Sequence, residues 1–444
     1  MILNYPMNYP KLPEFTRTWE VLNEFARLKF EVGVDKDKIE AYLNEAEHTI
    51  NSLIDTLKEL PADPGFTLKE PDQLDKIRAL RPFGNRKLWK EFHSDKYMER
   101  LTGSLFGRFA GCTLGAPVEC WSVEDMSEWA AYIGDKFPPV DYWSSIKNPN
   151  FKRYAVSECY KYTKIGLDGV PVDDDLTYTI LGLLIMEDYG PEFTTENIGA
   201  AWLKYLPYAC SAERITLKNL KAGIPSTKSA EVDNPYVQWI GADIRSDPWG
   251  YFAPGLPEKA AELAYRDAYI SHRRNGIYGE MYFSAVIAAA FETDNTIDAL
   301  KIGLAEIPGE CLLSQDIRWA LDAGKDIGNY LEARKAVEER FGKMSGWHTN
   351  LNACLTIFGL MIGGDDVTRV IGETVAMGYD NDCTAATAGS IIGAVRGLAG
   401  IPEHWYKDYK NKILTYIIGH PEFKIDDVIN RFAVQAEQVF KLSC

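Results

Sequence analysis

Gly378-Tyr379-Asp380-Asn381-Asp382-Cys383-Thr384-Ala385-Ala386-Thr387-Ala388-Gly389 is the stretch that decides how this chain is read. Asp380 and Asp382 stand one residue apart. A run of small residues from Ala385 to Gly400 follows, interrupted by Ile391, Ile392, Val395, Arg396 and Leu398. Small residues at that spacing predict a tightly packed, buried helix. The two carboxylates then lie in the loop that enters its N-terminus. A helix N-terminus accepts one carboxylate as a cap and dipole partner. Two in close company repel, and each raises the pKa of the other unless a cation sits between them. An over-furnished cap on a solvated loop is the plain alternative.

A second acidic stretch bears on that choice. Asp173-Asp174-Asp175 opens onto the apolar run from Leu176 to Met186, again a carboxylate cluster leading into a helix. If the two helices start side by side, five carboxylates converge. Oxygen ligands of that kind suit a hard divalent cation, Mg²⁺ or Mn²⁺ rather than Zn²⁺.

With 444 residues the chain has room for one large domain with additions, or for two or three ordinary ones. Its formal net charge of −16, with no Lys/Arg block, argues against general nucleic-acid binding. None of the eight Cys forms a CxxC pair, which reads as reduced thiols rather than a disulfide framework. The first residues lack a basic region and a long apolar run, and no segment approaches the ~20 apolar residues of a membrane span. A cytoplasmic protein without a membrane partner is the expectation.

Residues 11 to about 98 read as a helical preface, with Phe15, Trp19, Leu22, Phe25 and Leu28, and later Ile39, Leu43, Ile50, Leu53 and Leu57, at helical spacing. It carries no evident chemistry. Packing on the main body, or homo-oligomerisation through these helices, is its expected role. The expected division is therefore a helical extension over 1–97 and a catalytic domain over 98–444.

Glycines at 103, 107, 111 and 115 form one bare stripe on a helix that Pro117 ends, so a second helix or a ligand should approach closely there. Glu119 follows directly. Residues 121–172 and 208–258, rich in aromatics, Pro and Gly, read as long covering or binding loops. Ser271 to Gly279 reads as a turn that presents His272, a lone loop histidine expected at the surface. No alternating strand pattern stands out, and the tail after Pro402 reads as helix. The fold class is all-α.

These pieces, in this order, resemble the ADP-ribosylglycohydrolase family over roughly residues 98 to 410. The markers are Gly115-Ala116-Pro117-Val118-Glu119, the acidic triplet 173–175, the Gly241–Arg245 loop, the Ser271-His272 turn, the Asp380-Asn381-Asp382 loop and Ile401-Pro402-Glu403-His404-Trp405. The resemblance implies a compact orthogonal multi-helix fold with a binuclear metal cleft holding two Mg²⁺ or Mn²⁺ ions. It implies Asp173, Asp174, Asp175, Asp380 and Asp382 as ligands. Asp173 stands where the family has Thr or Ser, and Cys383 where it has a ligating Thr. Thiols are poor Mg²⁺ ligands, so Thr384 or a water supplies the oxygen, or one ion binds weakly. Glu119 matches a cleft glutamate that gates or positions substrate. Gly115, Gly241, Ala242, Asp243, Ser271, His272, Arg273, Gly276, Tyr278 and Gly279 fall where the family holds ADP-ribose.

The activity so implied is metal-dependent hydrolysis of the bond between ADP-ribose and an acceptor. An activated water attacks the anomeric carbon, with Asp174, Asp175 and Glu119 as the catalytic carboxylates. Two other readings stay open. One is a non-catalytic ADP-ribose or nucleotide binder of the crystallin-like kind. The other is a hydrolase of a different nucleoside or glycoside.

Overall fold

The computed structural model describes residues 9–10, 15–145 and 158–443. It forms two compact units that meet in sequence between Leu68 and Lys69.

The first unit is built on α1 (Phe15–Glu31) and α2 (Lys36–Lys58), which pack on each other. The Asp35 carboxylate starts α2 by accepting from Lys38 N at 3.0 Å. Neither helix buries a residue. A short α3 (Pro64–Lys69) follows.

The second unit opens with α4 (Leu74–Leu80) and α5 (Ser94–Gly115), then α6 (Val123–Ile133), α7 (Asp174–Tyr189), α8 (Thr195–Tyr205) and α9 (Ser211–Lys221). It continues through α10 (Ser246–Phe252), α11 (Pro257–Ala268), α12 (Asn275–Ala290), α13 (Thr296–Gly303), α14 (Leu312–Ala323) and α15 (Tyr330–Phe341). The last helices are α16 (Thr349–Gly363), α17 (Val367–Ala376), α18 (Asn381–Arg396) and α19 (Ile425–Ser443).

The centre of this unit is the antiparallel pair α5 and α18. The glycine stripe of α5 lies on backbone, not on a ligand. A Cβ on Gly107 would sit 2.1 Å from the Gly389 carbonyl oxygen, and one on Gly111 2.1 Å from that of Ala385. A Cβ on Gly115 would sit 2.4 Å from Asp382 Cα. The stripe thus brings the C-terminus of α5 against the N-terminus of α18. Helices α16 and α17 pack around α18, and α12 lies beside it.

Several expectations need correction. Residues 121–172 are not wholly irregular, because Ser122 accepts from Asp125 N and starts helix α6; residues 146–157 of that stretch lie outside the described residues. The 208–258 stretch holds α9, a 3₁₀ turn over Ile240–Arg245, and α10. The tail contains a β-hairpin, β1 (Lys412–Ile417) paired antiparallel with β2 (His420–Lys424). Ile413, Thr415 and Ile417 face inward, but Leu414 and Tyr416 between them are also largely apolar, which hides the alternation.

Candidate active site

Two loops and one helix start converge on a cleft. The chain leaves α5 through a 3₁₀ turn, Ala116–Val118, and presents Glu119. Cys120 N donates to Tyr379 O at 2.9 Å, which stitches this turn to the loop entering α18. Asn381 Nδ2 donates to Val375 O at 3.0 Å from below. With both loops fixed, Glu119, Asp380 and Asp382 bring carboxylate oxygens within 4.8 Å of one another.

Asp173, Asp174 and Asp175 form a second triad of the same closeness at the start of α7. The Asp173 carboxylate caps that helix, accepting from Asp175 N at 3.0 Å. Arg108, fully buried on α5, fixes the triad from behind. It donates to Asp175 O at 2.8 Å, to Asp247 Oδ2 at 2.7 Å, to Ile244 O at 2.7 Å and to Thr179 Oγ1 at 2.8 Å. One guanidinium thereby locks α5, α7 and α10 together.

Members of both triads, Glu119, Asp174, Asp175, Asp380 and Asp382, share the wall of one cavity of about 300 Å³, which Asp173 does not line. Their charges interact. Glu119 is pushed up to about 8, first by repulsion from Asp382, then by partial desolvation, then by Asp174. Glu119 is exposed at the cleft rim, so repulsion is the stronger cause. Asp382 is pushed up to about 6 by burial, with Asp174 adding to the rise. Burial likewise raises Asp173, Asp175 and Asp380, and in each the charge of Asp382 adds to it.

The donor set fits a hard divalent cation. Asp382 Oδ1 is buried with no hydrogen-bond partner. Among the described residues, Arg108 is the cation that pairs with these carboxylates, and it does so only at Asp175. Six mutually repelling carboxylates with so little neutralisation are what all-oxygen coordination of Mg²⁺ or Mn²⁺ relieves.

Of the other residues expected at the site, Gly241 alone lines the cavity among the described residues. Cys383 belongs to neither triad, and neither it nor Thr384 lines the cavity. Burial holds the Cys383 thiol protonated, and Thr384 Oγ1 donates to Asp380 O at 3.1 Å. Gly115 serves the α5–α18 contact. Gly241 lines the cleft, whereas Ala242 and Asp243 are buried behind it. Asp243 Oδ2 accepts from Thr349 Oγ1 at 3.0 Å. Gly276 and Gly279 are packing positions; a Cβ on Gly279 would sit 2.0 Å from Asp243 Oδ1.

Ser271, His272, Arg273 and Tyr278 are buried and do not line the cleft. His272 pairs with Ser271 Oγ through Nδ1 at 2.8 Å, and burial with Arg245 and Arg273 nearby holds it well below the usual histidine range. Arg273 is spent on the carbonyls of Tyr269, His272 and Thr227 and on Glu231. Tyr278 OH donates to Pro71 O at 2.6 Å. These side chains are bonded inside the protein, except that His272 Nε2 is buried without a hydrogen-bond partner.

Sequence reasoning missed part of the wall. Glu213, held by Arg245, and the rings of Tyr178, Trp239 and Trp347 all border the cavity. The reading of 208–258 as a covering or binding loop contained Glu213 and Trp239 without singling them out; Tyr178 and Trp347 had no local signal.

The ADP-ribosylglycohydrolase family model matches residues 93–441. Among solved structures, a chain described as an ADP-ribosylglycohydrolase-related protein complex is similar at 15% identity, with a TM-score of 0.52 over 79% of this chain and 100% of that one. No curated protein matches.

Proposed function

Because the chain belongs to the ADP-ribosylglycohydrolase family and has its fold, we propose that it is a divalent-metal-dependent glycosidase releasing ADP-ribose from an acceptor. The observation that carries this reading is the pair of carboxylate triads whose members share the wall of one cleft. Asp173, Asp174 and Asp175 would hold the cations from one side, and Asp380, Asp382 and Glu119 from the other. Bound there, Mg²⁺ or Mn²⁺ supplies charge neutralisation and a lowered pKa for water.

The side chains do the rest. Asp174 accepts a proton from the attacking water as its oxygen bonds to the anomeric carbon. The bond from that carbon to the acceptor breaks, and its electron pair leaves with the acceptor. Asp175, held in place by Arg108 and ionised once a cation offsets its buried neighbours, stabilises the positive charge that develops on the sugar ring. Glu119, at the rim, positions the sugar. Two backbone-locked loops and a buried guanidinium fix these groups before substrate arrives, so little reorganisation is left to the reaction step. The catalytic part is residues 98–444.

The test is release of ADP-ribose from ADP-ribosylated arginine and serine peptides with MgCl₂ or MnCl₂. Asp174→Asn and Asp382→Asn should each abolish turnover while leaving the circular dichroism spectrum intact. Undiminished turnover in both variants would remove the site from the reaction.

A further inference from the structure

One feature of the cleft goes beyond the glycosidase reading, although it rests on it. Trp239 and Trp347 form a stacked indole pair, with ring centroids 5.2 Å apart and planes inclined by 21°. Tyr236 backs Trp239 at 4.6 Å. Both indoles line the cavity, and Trp347 is 42% exposed, so one face of the stack is open. The two segments that carry them are clamped together. Ile240 N donates to Trp347 O at 2.8 Å, Thr349 N donates to Gln238 O at 3.1 Å, and Trp239 forms an antiparallel bridge with His348. Asn352 Nδ2 fixes the turn from below by donating to Gly346 O at 2.8 Å and His348 O at 3.1 Å. A large aromatic surface held this rigidly loses little freedom on binding a ligand.

Its position indicates which part of a ligand it meets. Trp347 borders the same cavity as Glu119, Asp380 and Asp382, and Cys120, next to Glu119, contacts its carboxylate at 3.7 Å. The open indole face therefore adjoins the carboxylates that surround the reacting carbon. A ring lying on it is one attached to that carbon. The lining adds a charge preference. Among the described residues, the cavity wall carries six carboxylates, Glu213 included, and no Lys, Arg or His. A neutral or cationic ring is favoured there and an anionic group is repelled.

We propose that the Trp239–Trp347 pair is a stacking platform for the leaving group, and that the acceptor removed by this protein is a flat, neutral or cationic nitrogen heterocycle of the nucleobase kind. In that reaction the water oxygen bonds to the anomeric carbon, the bond from that carbon to the ring nitrogen breaks, and its electron pair passes into the heterocycle. The proton lost by the water ends on a cleft carboxylate or on the departing base. Aromatic stacking holds the ring as it leaves.

The test compares ADP-ribose linked to a heterocycle, as nicotinamide or as thymine, with ADP-ribose linked to arginine. The kcat/KM of the full-length protein is measured with MgCl₂ on each. The wild type should prefer the heterocycle-linked substrates. Trp347→Ala should lower the ratio of heterocycle-linked to arginine-linked kcat/KM roughly 5- to 100-fold, chiefly through KM, and Trp347→Phe should recover most of it. Both substrates carry the same adenine. A platform for that ring would move both alike and leave the ratio unchanged, which would overturn the proposal. A binding arm works without turnover: titration with free nicotinamide or thymine should quench tryptophan fluorescence in the wild type, and the quench should vanish in Trp347→Ala. If neither substrate is hydrolysed, the glycosidase reading fails, and the quenching titration still decides the platform. Absence of quenching in the wild type would overturn it.

Discussion

Replacing Asp382 by Asn should raise the stability of the protein in EDTA and lower it, relative to wild type, in magnesium. The carboxyl of Asp382 rises from its ordinary value of 3.8 to about 6 because it is buried among acids. Its folded pKa is raised, so its contribution to stability is fully present below about pH 4 and is lost as pH climbs through 6. At pH 8 the ionised group costs about 3 kcal/mol, taking roughly 2.2 pKa units at 1.36 kcal/mol each. An Asn at this position cannot ionise and avoids that cost. Unfolding entropy is about 2.1 cal/mol/K per residue, or about 0.8 kcal/mol/K for the second unit, so the gain amounts to about 4 °C in Tm. The advantage should shrink steadily between pH 6 and pH 4. Magnesium reverses the order, because it binds the wild-type site. A cation at one hundred times its Kd stabilises the folded state by about 2.7 kcal/mol per site, and Asp382→Asn should gain far less. Differential scanning calorimetry at pH 8 and pH 5, in EDTA and in 10 mM MgCl₂, reads all four states. A variant less stable than wild type in EDTA at pH 8 would refute the reasoning. So would a wild type whose Tm ignores divalent cations.

Further outcomes concern the scaffold. Gly107→Ala should destabilise the fold by about 1–3 kcal/mol or more in urea denaturation, because its Cβ would sit 2.1 Å from a main-chain oxygen that cannot rotate away. Arg108→Met should cost about 3–5 kcal/mol by leaving Asp247 and Asp175 buried without their cation, and Arg108→Met/Asp247→Asn should recover part of the loss. Asp243→Ala should lower stability while raising KM for substrate little, since the carboxylate is hydrogen-bonded to Thr349 behind the wall of the cleft; steady-state kinetics beside a melting curve separates the two.

What the sequence revealed and what it hid follow from the range of the forces involved. The glycine stripe, the small-residue helix α18 and the acidic starts of α7 and α18 are local patterns, and a helical period alone places them on one face. That Gly115 meets Asp382 is a consequence of matching two such patterns. The Arg108 anchor left no local trace, because its partners lie 67 and 139 residues away along the chain. His272 read as a surface histidine, and Ser271 and Arg273 as ligand contacts, yet each finds a partner inside the protein, which no single-sequence pattern announces. The strands β1 and β2 are five or six residues long and carry too little alternation to register. Trp239 and Trp347 are 108 positions apart in sequence and become a pair only when the main-chain bridge at His348 forms.

The proposed reaction depends most directly on two cations lying between the acidic triads. Crystals grown with MnCl₂ and measured at the manganese absorption edge should show two anomalous peaks in the cleft, within coordination distance of Asp173–Asp175 on one side and of Asp380, Asp382 and Glu119 on the other. A cleft without anomalous density at saturating manganese, with the carboxylates placed as they are here, would contradict it.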